Sequence, residues 1–181
     1  ADRLALMAEL VSRGSFTYVD LEEDLRDDPR ADAIESAAAE RGSLVIRSLH
    51  DFVGMPTEPI AVLDRLAETP GEIPKLACTP RGTADAHALL RSYSVARNRY
   101  PNGFILLGMG RFGFPSRILS PALGALLTFT SAAGAQAAPG HIDPQTMEEV
   151  YNASVTGPTT RVFGIIGNPV LHSRSPHYHN P

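Results

Sequence analysis

Four ionisable side chains lie in or just after apolar stretches of this sequence. Glu22 closes "YVDLE", His50 follows "LVIRS", Lys75 lies inside "IPKLA", and Arg117 follows "GFILLGM" by a short loop. Lys75 is the least ordinary of them, because its apolar neighbours would remove its amine from water. A buried lysine loses its proton more readily, and the neutral amine attacks a carbonyl carbon to form an imine. With a histidine nearby to move protons, these residue types indicate covalent imine chemistry.

Each of these side chains also has an ordinary structural explanation. A lone histidine after a strand is more often a hydrogen-bonded loop residue than a catalyst. A glutamate or arginine at the end of a strand is usually solvated. Lys75 fits such an explanation least well, but the residues by themselves leave both interpretations open.

The elements that would position these residues alternate along the chain. Apolar residues at helical spacing predict helices at 2–13, 30–41, 58–68, 83–99, 116–123 and 143–152. β-Branched and aromatic runs predict strands at 16–22, 43–48, 73–78, 103–109, 125–130 and 160–166. This alternation predicts an α/β fold with a parallel sheet.

The spacing of the predicted strands matches a (β/α)8 barrel, which uses roughly 31 residues per unit in about 250 residues. An open doubly wound sheet fits the same alternation. In a parallel sheet the carboxyl ends of the strands share one edge. The four ionisable groups are therefore expected to converge there, where parallel-barrel enzymes place their chemistry.

Composition narrows the class of protein. The chain has 181 residues, 43% hydrophobic and 20% charged, with a formal net charge of −4. That length suits one domain, or one domain with a partial second. No run of Lys and Arg is long enough to bind nucleic acid. The longest uncharged apolar stretch, 118–138, is broken by Ser, Pro, Gly and Gln, so we expect a buried core segment and no membrane span. The single cysteine, Cys78, fits a reducing compartment, the cytoplasm or a plastid.

Five strings carry a resemblance to a known family. "YVDLE", "VIRSLHDF", "PKLACTP", "MGRFGFPSR" and "AAPGHI" occur in the order, and at about the spacings, of type I 3-dehydroquinate dehydratase. The sequence resembles that family over residues 14–152, which would be the later five βα units of its eight-unit TIM barrel. The resemblance implies syn loss of water from 3-dehydroquinate, giving 3-dehydroshikimate in the shikimate pathway. It implies no metal or organic cofactor for this step, because the lysine imine is the electron sink.

The resemblance also implies catalytic roles for three residues. Lys75 would form the imine with the C3 carbonyl of the substrate. His50 would take the C2 proton and then protonate the departing C1 hydroxyl. Glu22 would orient His50 and fix its protonation.

The remaining resemblance concerns the substrate pocket. Arg117 would hold the substrate carboxylate through a bidentate fork, and Met109 and Phe129 would line the pocket. Two positions depart from the family pattern, Ser-Ala-Pro-Gly-Gln, in a loop that closes over the substrate. Ala137 lacks the hydroxyl of the serine, whereas His141 replaces an amide and can still donate a hydrogen bond.

The last segment of the sequence, "VFGIIGNPVLHSRSPHYHN", resembles the first strand and substrate loop of shikimate dehydrogenase. In that family the two serines of the "HSxSP" motif hydrogen-bond the shikimate carboxylate and hydroxyls, which implies this role for Ser173 and Ser175. NADP would be the cofactor of that activity, with its nucleotide site beyond Pro181. A zinc site at His172, His177 and His179 is disfavoured, because no thiol is near and the tetrahedral ligand spacing is missing.

The two resemblances together predict how the chain is organised. We expect a partial dehydratase domain at 1–152, a linker at 153–160, and the first part of a dehydrogenase substrate domain, including its first strand, at 161–181. This is the order of the bifunctional enzyme known from plants and some bacteria. No match to the Glu-Trp-Arg type motif of the family's first strands is present, so we expect a fragment that is marginally stable and inactive alone.

Two other functions compete with the dehydratase. Barrel aldolases also use a strand lysine, but they lack the pairing of "SLHDF" with "PKLACTP". A non-catalytic metabolite sensor or regulatory homologue is the alternative from a different class, since fungal quinate-pathway repressors reuse these domains. The changes at Ala137 and His141 favour the sensor, whereas Lys75, His50, Glu22 and Arg117 together favour the enzyme.

Overall fold

A sheet of four parallel strands is the centre of the fold. The computed structural model describes residues 2–131, 142–170 and 172–179. The strands lie side by side in the order β1 (Tyr18–Glu22), β2 (Leu44–Asp51), β3 (Ile73–Cys78) and β4 (Ile105–Gly108). This order follows the chain without the reversal that creates the switch point of a doubly wound sheet. The described strands therefore have the order of a βα barrel.

Helices connect the strands and follow them. They are α1 (Arg3–Arg13), α2 (Pro29–Arg41), α3 (Pro59–Leu66), α4 (Thr83–Arg99), α5 (Gly110–Leu123), α6 (Pro144–Glu149) and α7 (Ser175–His179). Local sequence sets their ends: Asp28 caps α2 by accepting the Arg30 amide at 3.0 Å, and Gly42 ends it with φ of 71°. Within the described residues, no helix is both long and apolar enough to cross a lipid bilayer.

The two faces of the sheet carry different side chains, because successive residues of a strand point to opposite sides. One face packs against the helices through two buried clusters that include Leu21, Leu76 and Leu106. The other face, here called the inner face, is defined by Ile46, Ile73, Ile105 and Leu107. Alternation along β1, β2 and β3 places their ionisable residues on the inner face as well: Asp20, Glu22, His50 and Lys75.

Two predicted strands are wrong. Residues 125–130 are irregular, with one ladder-like hydrogen bond from the Leu126 amide to the Phe104 carbonyl at 2.9 Å. Instead of pairing, this segment lays Leu126, Leu127 and Phe129 against the inner-face cluster. Residues 160–166 are also irregular, because no described strand pairs with them. β-Propensity by itself does not form a strand; a partner must supply the ladder.

Helix α5 begins earlier than the predicted 116–123. Gly110 starts the helix, and Pro115 lies inside it. The early start depends on a close approach between α5 and the end of β4. A Cβ atom on Gly108 would lie 2.3 Å from the Cα of Gly113, so neither position has room for a side chain. The predicted helix at 143–152 is also shorter, ending at Glu149 before a 3-10 turn at Ala153–Val155.

Candidate active site

Parallel pairing places the three predicted catalytic residues on one face. Glu22 of β1 lies opposite Ser48 of β2, and Ser48 lies opposite Lys75 of β3. His50 lies two residues beyond Ser48 and therefore on the same face, one step nearer the carboxyl end of the sheet. The inner face thus carries a carboxylate, an imidazole and an amine on three adjacent strands.

Lys75 is buried in the middle of this face. Only 4% of the residue is accessible, and its Nζ lies 4.1 Å from the centre of the Phe129 ring. Lys75 is also the one lysine in the sequence, whereas every other residue in the Lys and Arg total of 16 is arginine. Arginine stays protonated and cannot act as an amine nucleophile. The chain therefore holds a single ε-amine, and that amine is buried on the inner face.

Asp20 is the residue at this site that sequence reasoning missed. Its Oδ2 accepts a hydrogen bond from the Lys75 Nζ at 2.5 Å, forming an ion pair. The signal in the sequence is the spacing of Asp20 and Glu22, which puts both carboxylates on one face of a strand. Spacing identifies the shared face, but it does not identify the partner of each carboxylate.

His50 and Glu22 form a second pair on the inner face. The Nδ1 of His50 contacts the Oε1 of Glu22. The His50 ring also stacks on the Phe52 ring, with centroids 6.0 Å apart and planes inclined by 15°. These two contacts fix the ring and leave Nε2 as the nitrogen that can exchange a proton with a bound molecule. A carboxylate on one nitrogen commonly sets the tautomer of the other.

Arg117 is a buried cation with an unused donor. It is 2% exposed, and its Nε donates to the Gly108 carbonyl at 3.0 Å. Its Nη1 is buried and has no hydrogen-bond partner among the described residues. Burial lowers the pKa of Arg117, and Tyr93 opposes this effect. No carboxylate in the described residues forms an ion pair with it. An unpaired buried guanidinium is suited to a bound anion, because pairing recovers the cost of desolvation.

The contact between Gly108 and Gly113 positions Arg117. Close packing brings α5 against the end of β4, and the Ser116 hydroxyl donates to the Gly113 carbonyl at 2.7 Å. The same hydroxyl oxygen accepts the Gly108 amide at 2.7 Å. These bonds tie the first turns of α5 to the strand, and so place the guanidinium against the Gly108 carbonyl.

Cys78 is not a candidate nucleophile. It lies three residues after Lys75, on the face that packs against the helices. Burial, followed by the charges of Asp51 and Asp85, raises the pKa of its thiol to about 12. The thiol therefore stays protonated near neutral pH.

The other predicted binding residues lie in different parts of the chain, and among those that the structure describes only Met109 is close to the sheet. Met109 is 1% exposed at the end of β4, and its amide donates to the Cys78 carbonyl at 2.7 Å. Ser173 and Ser175 lie in the C-terminal segment, where their hydroxyl oxygens are 3.2 Å apart. Among the described residues, neither serine is hydrogen-bonded to the sheet. His141, together with Ala137, falls outside the described residues.

The three histidines of the C-terminal segment do not form a metal centre with other described residues. The described part of the chain contains no group of three or more His, Cys, Asp or Glu side chains arranged to hold a metal ion. His172, His177 and His179 are exposed.

Comparison with known proteins gives a consistent result. The profile of the type I 3-dehydroquinase family matches residues 1–158. A bifunctional 3-dehydroquinate dehydratase/shikimate dehydrogenase from chloroplasts of Arabidopsis thaliana is 37% identical over 139 residues, which cover 75% of this chain and 22% of that protein. The 3-dehydroquinate dehydratase of Lactiplantibacillus plantarum is 32% identical over 138 residues, covering 75% of this chain and 54% of that protein.

Solved structures resemble the fold as well. The type I 3-dehydroquinate dehydratase of Clostridium difficile, crystallised with covalently modified comenic acid, superimposes with a TM-score of 0.70 at 28% identity. The match covers 82% of this chain and 59% of that one. This chain therefore spans little more than half the length of its bacterial relatives and about a fifth of the plant protein.

Proposed function

We propose, since the chain belongs to the type I 3-dehydroquinase family, that it carries the imine-forming part of a 3-dehydroquinate dehydratase site in the shikimate pathway. The observation that carries this proposal is the single lysine of the chain. It is buried on the inner face, on the same face as an imidazole that is already paired with a carboxylate. A lysine, a histidine and an orienting carboxylate are the groups that imine-mediated proton removal requires.

The reaction proceeds in balanced steps. The Lys75 amine attacks the C3 carbonyl, and loss of that oxygen as water leaves a protonated imine. The imine withdraws electrons, so His50 can remove a proton from C2. His50 then gives this proton to the C1 hydroxyl, which leaves as water while the double bond forms. Hydrolysis of the imine releases 3-dehydroshikimate and restores the amine. Glu22 orients His50 throughout through its contact with Nδ1.

Arg117 supplies the anion site of the proposal. Its Nη1, buried and without a partner in the described part of the chain, is suited to donate a hydrogen bond to a carboxylate oxygen of the substrate. Met109 and Phe129 would line the pocket, and the position of the Phe129 ring 4.1 Å from the Lys75 Nζ supports this role for Phe129. His141 would donate a hydrogen bond from the closing loop.

A second activity follows from the C-terminal segment. We propose that residues 1–152 form part of a dehydratase domain, that 153–160 are a linker, and that 161–181 begin a shikimate dehydrogenase domain. The bifunctional relative from Arabidopsis thaliana supports this order. Ser173 and Ser175 would bind shikimate, and NADP would supply the hydride of that reaction. No residue of this chain is assigned to NADP.

Borohydride trapping tests the dehydratase proposal. The full-length protein, and the 181-residue chain beside it, are incubated with 3-dehydroquinate and borohydride, and the peptides are analysed by mass spectrometry. We expect a reduced adduct on the peptide that contains Lys75, and none in Lys75→Met. Because this chain has one lysine, an adduct within it identifies the site unambiguously. A well-folded full-length protein that traps nothing would instead indicate a metabolite sensor.

A further inference from the structure

Asp20 contacts the one amine of the site, and no role has yet been given to it. We propose that Asp20 holds the Lys75 side chain in place and accepts its proton during imine formation. This inference rests on the proposed dehydratase function and deepens it. Asp20 touches the reacting nitrogen directly, with its Oδ2 at 2.5 Å from Nζ.

The contact between Asp20 of β1 and Lys75 of β3 crosses one strand, β2. Asp20 of β1 lies opposite Ile46 of β2, which in turn lies opposite Ile73 of β3, whereas Lys75 is one inner-face position further along β3. The lysine side chain therefore reaches diagonally over β2 to the carboxylate. Nζ also lies 4.1 Å from the centre of the Phe129 ring. The nitrogen thus contacts both a carboxylate and the face of an aromatic ring, which limits the positions that it can take.

The two carboxylates of β1 have separate partners. Glu22 contacts the imidazole of His50, and Asp20 contacts the ammonium of Lys75. In the described residues, no other carboxylate forms an ion pair with Lys75. The Lys75 side chain is 6% exposed and that of Asp20 is 34% exposed, so the carboxylate is the more solvent-exposed member of the pair.

The proton balance of imine formation needs a group at this position. The lysine begins as a paired ammonium with three protons, and it ends as an iminium with one. The two protons that leave nitrogen must reach the carbonyl oxygen, which departs as water. Asp20 accepts each proton in turn from Nζ and delivers it to that oxygen. The carboxylate is ionised at the start and at the end, where it faces the positively charged iminium.

Replacement of the carboxylate by an amide tests the inference. In the full-length protein, Asp20→Asn is compared with Asp64→Asn. Asp64 is a matched control, because its 2.5 Å ion pair with Arg99 lies away from the inner face and its side chain is 37% exposed. Timed quenching with borohydride after mixing with 3-dehydroquinate measures the rate of adduct formation at Lys75.

We expect Asp20→Asn to slow adduct formation about 10- to 100-fold, the range for losing a charge-assisted hydrogen bond. kcat should fall by a similar factor, while KM changes less than about threefold. Sodium formate should restore part of the rate in Asp20→Ala by supplying a small carboxylate to the vacated space. Formate should not affect the wild type, Asp64→Asn or Lys75→Met. Asp64→Asn should trap substrate at the wild-type rate.

The outcomes separate the two proposals. If the wild type forms the adduct and Asp20→Asn forms it equally fast, the role of Asp20 is rejected while the dehydratase proposal stands. A second outcome is that Asp20→Asn is slow, formate does not restore the rate of Asp20→Ala, and the melting temperature of Asp20→Asn falls further than that of Asp64→Asn. Asp20 is then structural only, and the inference is again rejected. If the wild type forms no adduct, the dehydratase proposal fails, and the ion pair with Lys75 is merely structural.

Discussion

Two apolar segments of six residues each differ in structure: one is a buried strand, and the other is exposed and irregular. Residues 73–78, "IPKLAC", are all buried and form β3, which pairs with β2 on one side and β4 on the other. Residues 162–167, "VFGIIG", are all exposed and irregular, with Phe163 84% accessible and Ile166 fully accessible. Among the described residues, no backbone hydrogen bond involves this second segment.

Pairing with neighbouring strands decides which of the two apolar segments becomes a strand. Both segments are apolar, and both contain isoleucine, which favours strands. The first has neighbours on both edges, and the second has none in the described chain. The proposed chemistry depends on this pairing, since Lys75 is in the paired segment and contacts Asp20 of β1 and Phe129.

The largest effect is expected from removing the amine of the paired segment. Lys75→Met should lower the dehydratase kcat of the full-length protein by a factor on the order of 10⁴ or more, because the covalent intermediate is lost. Arg161→Met is the matched change, a basic residue replaced beside the unpaired segment, and its kcat should be unchanged. A substantial residual rate in Lys75→Met would show that the imine is not required.

The next largest effect is expected on the free energy of unfolding, when a buried and an exposed apolar side chain are each shortened. Leu76→Ala removes a side chain with no exposed surface, so the free energy of unfolding should fall by about 2–5 kcal/mol. Ile166→Ala, in the exposed segment, should change it by less than about 0.5 kcal/mol in the 181-residue chain. Urea denaturation measures both.

The same pair of variants in the full-length protein sharpens the comparison. If 161–181 begin a second domain, Ile166 gains a partner there, and Ile166→Ala should become destabilising. An effect of Ile166→Ala that is equally small in both proteins would contradict the proposed domain division.

The third comparison is between a glycine in close backbone contact, Gly113, and one in open space, Gly157. Gly113→Ala would place a Cβ atom 2.2 Å from the Gly108 carbonyl carbon, so α5 must move away from β4. We expect a loss of stability of about 1–3 kcal/mol and a rise in KM, because Arg117 moves with the helix. Gly157→Ala meets no atom within 4 Å and should be neutral. An unchanged KM in a destabilised Gly113→Ala would separate Arg117 from substrate binding.

The smallest effect is expected at the ion pair between Glu23, which directly follows β1, and Arg65 of α3. Among the described residues, no ion pair involves the unpaired segment 162–167. Arg65 donates to Glu23 at 2.5 and 2.8 Å, and this hydrogen bond is the main reason that the pKa of Glu23 is lowered. A lowered pKa stabilises the fold above the ordinary carboxyl range near pH 4.5, and this contribution disappears as the pH falls through the folded value.

Glu23→Gln should therefore cost about 0.2–1 kcal/mol at pH 7, with the difference from the wild type shrinking below pH 4.5. Thermal melts between pH 3 and 7 measure this. Arg65→Met should remove the same pH dependence. A difference from the wild type that stays constant across this range would show that the pair is not its source.

Much of the fold follows from local sequence, and the exceptions have a common cause. The predicted bounds of β3 and α4 are confirmed at both ends, because strand and helix periodicities change sharply at residues 73, 78, 83 and 99. The two wrong strands, 125–130 and 160–166, have suitable residues but no extended partner within the part of the chain that the structure describes. Their state depends on the rest of the fold, which periodicity within a short window does not contain.

Part of the candidate site likewise follows from local sequence, and part depends on contacts between distant segments. Strand alternation is sufficient to place Glu22, His50 and Lys75 on one face, since each residue type and its parity can be read directly. The contact of Asp20 with Lys75 was missed, because it crosses β2 diagonally and depends on register and sheet curvature. The burial of Arg117 was missed for a similar reason: it depends on two glycines that let a helix approach a strand.

The position of both carboxylates on β1 links folding accuracy to chemistry. If β1 paired with β2 one residue out of register, Asp20 and Glu22 would both point away from the inner face. Lys75 and His50 would then lose their partners in a single event. A slip of two residues would keep the parity but would move each carboxylate one inner-face position away from its present partner. If the proposed function holds, a protein with a misaligned β1 would be inactive, and catalytic turnover would report whether each molecule has paired β1 correctly.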